Sequence, residues 1–352
     1  LRSITDNTGK YEHNWITRLV EEVQPRAEAV IEAAEVIPQE DGSVDFKVDG
    51  SVSTLARIQN ADFDLEYVPS GYTHPVSGEL VVPTYEKGVY KGDPCDQYLL
   101  RADTSQVVGN MSGRYPNRDG YKHVFATLDE LFPETCKSVS VYGNGERVVV
   151  EQVLDEPFDL GGGDTIQPYI YTRMSLNGTW KTEIIPISQR ISCENMLGYG
   201  GQIIGVRATK NHDKLLTMRS QVIEMSMAQG QTIQRMAQIL TDQEFTNGMF
   251  TEMVDRLLPY PDEDAHVRTQ NAAMDKRSAV FGAWDKENAS NMWAAFNAFQ
   301  GGEQHRINAN YKTTREAQER SFLKALDGKT PIADAAERYL FDLVSVGAEE
   351  PF

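Results

Sequence analysis

The sequence predicts an α+β fold: an antiparallel β-hairpin-rich domain with strand-strand-helix units, followed by a helical C-terminal bundle. Three observations carry this. Asn-Gly pairs at 144–145 and 177–178 each sit between stretches of alternating apolar residues, the strongest short-range signal for a β-hairpin. Upstream, QYLLRADTSQVVGNMSGRY reads as two short strands around a polar turn at 103–105, and DGYKHVFATLDELF then spaces Val124, Leu128 and Leu131 for a helix. From residue 213 onward the apolar positions recur at helical spacing, punctuated by caps and prolines. Three regions result: an N-terminal helix plus an extended acidic and loop-rich region over residues 1–98, a mixed antiparallel β domain over 99–205, and a helical domain over 206–352.

In chain order, Trp15, Ile16, Leu19, Val20, Val23, Ala27, Val30 and Ile31 recur at helical spacing between residues 11 and 35, with Pro25 set to kink or divide the helix. An acidic, extended stretch follows to about Tyr67, and residues 69–98, rich in Pro and Gly, read as loops joining short strands. In the first hairpin Val139 and Val141 precede the Asn-Gly turn and Val148 and Val150 follow it; QPYIYTRMSLNGTWKTEIIPI repeats the pattern. Residues 187–193 end a strand, Asn195 and the Gly-rich 198–201 make the turn, and residues 210–213 start a long helix with Asn211 as its N-cap. Thr241 with Glu244 reads as a capping box before a helix that Pro259 stops. Further helices fit TQNAAMDKRSAVFGAW, NASNMWAAFNAF, TTREAQERSFLKAL and PIADAAERYLFDLV, the last with Thr330 as cap and Pro331 in its first turn.

A chain of 352 residues holds more than one ordinary core. No apolar run reaches the roughly 18 residues of a membrane span, and LRSITDNTGKYEHNW lacks the basic and apolar regions of a signal peptide. The expectation is a soluble intracellular protein without membrane contact. Cys95, Cys136 and Cys193 are odd in number and widely spaced, which argues against a disulfide framework and a CxxC metal site. The six histidines show no paired ligand spacing. GNGER and LGGGDT match neither a phosphate loop nor GxGxxG before a helix, so they read as turns. No cofactor and no metal are expected.

The net charge of −18 argues against diffuse nucleic-acid binding, yet residues 181–240 carry an excess of three positive charges. Within the second hairpin Tyr169, Tyr171 and Arg173 share one strand face by period 2, and Trp180 and Lys181 restart the chain across the turn. Flat aromatic rings stack on unpaired bases while Arg and Lys meet phosphates, the physics of single-strand binding. Arg114, Arg118 and Lys122 add charge, as do Arg207, Lys210, Lys214 and Arg219. The competing reading is a strand face packed under helices. Cys193 followed by His212 has the composition of a nucleophile and base, but no orienting acid accompanies them; a small buried cysteine at a strand end is the commoner case. Met218, Met225, Met227 and Met236 on one helix, and the Trp293, Phe296 and Phe299 stripe, suit a core or an oligomer interface.

Taken together, several segments resemble the phage/plasmid-like protein family, the domain of unknown function 932: LRADTSQVVGNMSGRY with LDEL, SVSVYGNGERVVV, GGGDTIQPYIYTRMSLNGTW, RISCENML with the later KNH, and NMWAAFNAF followed by EQHR. The resemblance covers roughly residues 85–345. Where the family shows an RVVCxNTL-like segment, this chain has RISCENML, and Met196 departs from a frequent Thr. The resemblance implies a bacteriophage or plasmid origin, the cytoplasm of a bacterial host, and no particular reaction. Strand-strand-helix units joined to further hairpins resemble, at the level of fold, the single-strand annealing proteins related to Rad52 and RecT. The expected function is single-stranded DNA binding or annealing in replication or recombination, without nucleotide hydrolysis, by a homo-oligomer; the alternative is a structural or assembly protein, within the virion, that acts through protein contacts.

Overall fold

The structure, a computed structural model, describes residues 10–11, 34–38, 44–48, 50–86, 91, 94–112, 120–154, 156–161, 164–191, 195–197, 204–206, 218–287, 289–312 and 314–348. Antiparallel sheets fill the N-terminal half and helices most of the remainder. Strands β1 (Lys10–Tyr11), β2 (Ala34–Pro38) and β3 (Val44–Val48) form a small sheet of order β1-β3-β2. Most of the helix expected over residues 11–35 lies outside the described residues; its two ends fall in β1 and β2. After helix α1 (Val52–Ile58) come β4 (Leu65–Pro69), β5 (Tyr72–Thr73), β6 (Leu80–Val81), β7 (Asp96–Arg101) and β8 (Val107–Ser112), paired as β4-β7-β8 and β5-β6. The expected strand, turn, strand, helix unit is β7, β8 and α2 (Lys122–Leu131).

The remaining strands belong to one sheet: β9 (Cys136–Tyr142), β10 (Arg147–Val153), β11 (Phe158–Gly161), β12 (Asp164–Ser175), β13 (Thr182–Arg190), β14 (Met196–Leu197) and β15 (Ile204–Val206). Its main path runs β14-β13-β12-β10-β9, with β11 on β12 and β15 on β13. Both Asn-Gly hairpins form where the alternation places them. Arg147 pairs with Tyr142 across the first, which closes over residues 143–146 with Gly143 and Gly145 at φ 66° and 107°. A Cβ on Gly145 would lie 2.7 Å from the Phe63 ring, so both the conformation and the close approach require glycine.

The chain divides into two units, Leu1–Asp155 with Tyr169–Pro186 and Gln202–Ser226, and Glu156–Pro168 with Ile187–Gly201 and Met227–Phe352. In the first, Val148 and Val150 alternate inward with Val139, Ile170 and Met174 to meet the apolar face of α2, formed by Val124, Phe125, Leu128 and Leu131. That burial removes the largest apolar side chains of both elements from water, about 25 cal/mol per Å². The same alternation sends Arg147, Val149 and Glu151 to the opposite face.

In the second unit the helices are α3 (Arg219–Thr241, whose first turns belong to the first unit), α4 (Asn247–Leu257), α5 (Val267–Trp284), α6 (Met292–Gly302), a π-helical turn (Glu303–Ile307), α7 (Arg315–Leu326) and α8 (Pro331–Ala348). Helix α6 is the central one: MWAAFNAFQGG is apolar or small on every side and buried nearly throughout. Phe250 stacks on Trp284 at 4.3 Å between centroids and meets Phe299 edge-on at 5.7 Å. Trp293, Phe296 and Phe299 are therefore core. Met236 is core as well, and Met227 is exposed.

One helix boundary differs from expectation. Thr241 is the last residue of α3, and α4 is capped by Thr246, whose hydroxyl accepts from the Met249 amide at 3.3 Å. The chain leaves helix between them because Phe245 inserts into the core and Glu244 makes a β-bridge with Asn291. Asn291 and Thr314 cap α6 and α7 in the same way. Among the described residues no helix is long and apolar enough to cross a membrane.

Candidate nucleic-acid interface and a buried amide network

Register places Tyr169, Tyr171 and Arg173 on one face of β12, opposite Val153, Glu151 and Val149 of β10, as period 2 requires. Their exposure differs from a stacking platform. Tyr169 and Tyr171 are only 5% and 1% exposed, and β12 is buried on both faces from Ile166 to its end. The phenols are engaged with the strand's neighbours: Lys137 Nζ donates to Tyr169 Oη at 2.7 Å and lies 4.6 Å from the ring centroid, while Tyr171 Oη donates to Glu151 Oε1 at 2.9 Å. Ser138 Oγ donates to the other Glu151 oxygen at 2.7 Å. Burial, joined by the Glu151 charge, pushes the Tyr171 phenol well up, so it stays protonated as that donor. These two rings offer no open face to a base. Strands pair with β12 along both edges, so its position in the sheet is central.

Arg173 is also withdrawn from solvent, its Nε donating to Glu183 Oε2 at 2.7 Å. Around the hairpin end the picture changes. The Trp180 ring is half-buried, with the guanidinium of Arg147 5.1 Å and that of Arg173 5.7 Å from it. Arg147 also stands 6.0 Å from Tyr142. Ser175 Oγ fixes the Trp180 backbone from both sides, accepting from its N–H at 2.9 Å and donating to its carbonyl at 3.0 Å. Asn177 Oδ1 holds Thr179 through N–H and hydroxyl, and Gly178 takes φ 73°. Lys181 is exposed beside this end. Lys122, also exposed, is paired with Asp64 at 2.5 Å. Arg114, Arg118, Arg207, Lys210, Lys214, Cys193 and His212 lie outside the described residues. Of the remaining cysteines, Cys95 is half-buried and Cys136 is buried, its thiol pushed well up by burial.

The second unit holds a polar network that the sequence reading passed over. Asn195, expected in a turn, is 1% exposed and leads into β14. Met196 N–H donates to Gln304 Oε1 at 2.9 Å, and its carbonyl accepts from Gln304 Nε2 at 2.9 Å and Gln300 Nε2 at 2.7 Å. The Gln304 amide thus serves Met196 as a neighbouring strand's peptide would. Asn195 Nδ2 donates to the Asn297 carbonyl at 3.2 Å, and His305 Nε2 lies 3.0 Å from Asn195 Oδ1. Nearby, Arg190 Nε donates to Asp164 Oδ1 at 2.6 Å, and Trp293 Nε1 donates to the other Asp164 oxygen at 2.7 Å. Burial raises the Glu287 carboxyl, an effect the Arg190 guanidinium offsets in part.

A weak clue existed in the sequence: RISCENML and NMWAAFNAF with EQHR supply most of these side chains. Among the described residues no group of three or more His, Cys, Asp or Glu is placed to hold a metal ion.

Residues 116–327, more than half of the chain and including every member of that network, match the domain of unknown function DUF932. The chain belongs to this family. No curated protein and no solved structure matches it. For this DUF932 protein, the two arrangements just described therefore carry the functional argument themselves.

Proposed function

We propose that this DUF932 protein binds single-stranded nucleic acid, in phage or plasmid DNA replication or recombination, through the end of the β12–β13 hairpin and without nucleotide hydrolysis. The observation that supports this is the half-buried Trp180, with the guanidiniums of Arg147 and of the buried Arg173 5.1 Å and 5.7 Å from its ring centroid, next to exposed Lys181. An aromatic ring with cations at its side meets both a base and the adjoining phosphate. Ser175 presets the backbone of Trp180, which lowers the ordering cost of binding. With a net charge of −18, phosphate contact has to be local, and Arg114, Arg118, Arg207, Lys210 and Lys214 are the basic residues that would extend it. The phage or plasmid origin, and with it the bacterial cytoplasm, rests on the sequence resemblance. The test is a labelled oligonucleotide at low salt with micromolar full-length protein: a mobility shift that weakens in Trp180→Ala supports the reading, and no shift ends it.

A second reading, assembly through protein contacts as a homo-oligomer or in the virion, is favoured by exposed apolar side chains on the helices, including Met227, Ile239, Met249, Val267 and Met274. Presence of the chain in purified virions would select it over the first.

A further inference from the structure

We infer that helix α3 is a self-association face on which two copies of this chain pair antiparallel, with Glu224 of each copy opposite the partner's Arg235. The inference deepens the assembly reading and rests on it, naming a second copy of the chain as the occupant of the exposed face of α3. A chain of net charge −18 repels another copy of itself over most of its surface, so two copies approach best where charge is sparse. Helix α3 is such a place. Its 23 residues include three charged ones, Arg219, Glu224 and Arg235, and none from 225 to 234. Gln221, Glu224, Ala228, Gln231, Arg235 and Gln238 are all exposed on it, with Met227 and Ile239 52% and 43% exposed. Depletion of charge together with exposed methionine is the compositional mark of an interface centre.

What selects the occupant is where the two inner charges lie. Glu224 and Arg235 are about three turns apart, so they share one face of the helix at a separation of about 16 Å. That distance is too long for them to pair within one helix, and neither has an opposite charge three or four positions away. Two such helices laid side by side in parallel would set Glu224 against Glu224 and Arg235 against Arg235. Laid antiparallel, with a two-fold axis passing between positions 229 and 230, each Glu224 meets the partner's Arg235, and the contact occurs twice as two-fold symmetry requires. The same register sets Gln221 against the partner's Gln238 and Ala228 against the partner's Gln231. Amides then meet amides, and the small Ala228 lets the helices close up near the axis. One helix from each copy is a small interface, so the association is of the weak, concentration-dependent class.

The test is sedimentation velocity of the full-length protein over about 1–100 µM, the range in which so small an interface fills. Wild type is expected to pass from monomer to dimer. Glu224→Arg alone and Arg235→Glu alone each turn two attractions into two repulsions, and each is expected to weaken the dimer at least about tenfold at low salt, with a smaller effect at high salt. Both side chains are exposed, so the variants should fold as wild type does. The two single variants mixed in equal amounts, and the double exchange in one chain, restore complementarity and are expected to recover wild-type association. A dimer of equal strength in wild type and both single variants overturns the inference and leaves the assembly reading standing, because the contact then lies elsewhere. Losses in the single variants without recovery in the mixture or the double exchange also overturn it, since the two charges would not be each other's partners. A wild type that stays monomeric overturns it too, and detection of the chain in purified virions then decides the assembly reading separately.

Discussion

Arg190 Nη1 lies 2.9 Å from each carboxylate oxygen of Glu287, across 97 positions of chain, while the same guanidinium holds Asp164 through Nε. The three side chains are 10–13% exposed. One cation thus serves two largely buried carboxylates, and removing it takes the same counter-charge from both, although Trp293 Nε1 still donates to Asp164. Arg190→Met is expected to cost about 3–5 kcal/mol, the range for breaking a buried pair. Replacing the whole cluster by apolar residues of similar volume would cost much less. Urea unfolding of Arg190→Met and of an Asp164, Arg190, Glu287 triple apolar variant measures both; equal losses would show that the charges do not interact strongly.

The pH dependence of Glu303 has a definite sign. Burial pushes its carboxyl up, against the Ala333 and Ile332 amides at the start of α8, which favour the charged form. A carboxyl raised in the folded state contributes stability that is fully present below its unfolded value of about 4.3 and is lost as pH rises through the raised folded value. Glu303→Gln cannot ionise and escapes that loss. The melting temperature of the variant minus that of wild type should therefore be larger at neutral pH and narrow as pH falls toward the unfolded value. Glu287, raised in the same sense, is present in both proteins and cancels. A difference independent of pH would mean that Glu303 titrates as an ordinary carboxyl.

At Gly109 in β8 a Cβ would run into the backbone carbonyl of Leu176, at the start of the second hairpin's turn. Backbone cannot step aside as a side-chain end can. Gly109→Ala is thus expected to destabilise by about 1–3 kcal/mol or more, as overpacking does, with a lower midpoint in chemical unfolding. Gly178, with open space around its α-carbon but φ 73°, is the matched control, where Ala meets conformational strain alone and the loss is smaller.

The contrast between Val148 and Tyr169 shows how far the sequence could be read. Val148 and Val150 announce a common face because they recur at period 2 next to a recognisable turn, opposite Val139 and Val141 with which serines alternate, and α2 advertises its apolar stripe in the same local way. The period of β12 was equally legible, and it placed Tyr169, Tyr171 and Arg173 on one side correctly. What period 2 does not say is whether that side is covered, since burial of a central strand depends on residues distant in sequence. The same limit hid the Asn195 network: its partners Asn297, Gln304 and His305 are more than 100 positions away, and amides paired only in space leave no spacing to detect. Thr241 misled for a different reason. Its Thr-x-x-Glu pattern is a capping box in isolation, but burial of Phe245 set the helix boundary later.

Nucleic-acid binding should separate into a charge part and a stacking part. If Arg207, Lys210 and Lys214 meet phosphates, replacing all three with Gln is expected to lower the slope of log affinity against log salt by roughly 2, at about 0.7 per contact on a single strand. Side chains that meet phosphates have to be solvated in the free protein, so on that condition stability should change by no more than about 0.5 kcal/mol for each. Trp180→Ala is expected to do the opposite: a loss of about 1–3 kcal/mol for one unstacked base with little change in slope. Lys181→Gln, a single charge next to the ring, should lower the slope by about 0.7. Tyr169→Ala and Tyr171→Ala belong to neither class. Their rings are buried, so their effect should appear as lost stability, about 3–5 kcal/mol by analogy with other large aromatics cut to Ala, before any effect on affinity. Fluorescence titration with an oligonucleotide over a range of salt, read beside urea unfolding of each variant, distinguishes these cases. A Trp180→Ala protein with wild-type affinity would remove the hairpin end from the interface, whatever the triple Gln variant does; wild-type slopes in both charge variants would remove the phosphate contacts as well.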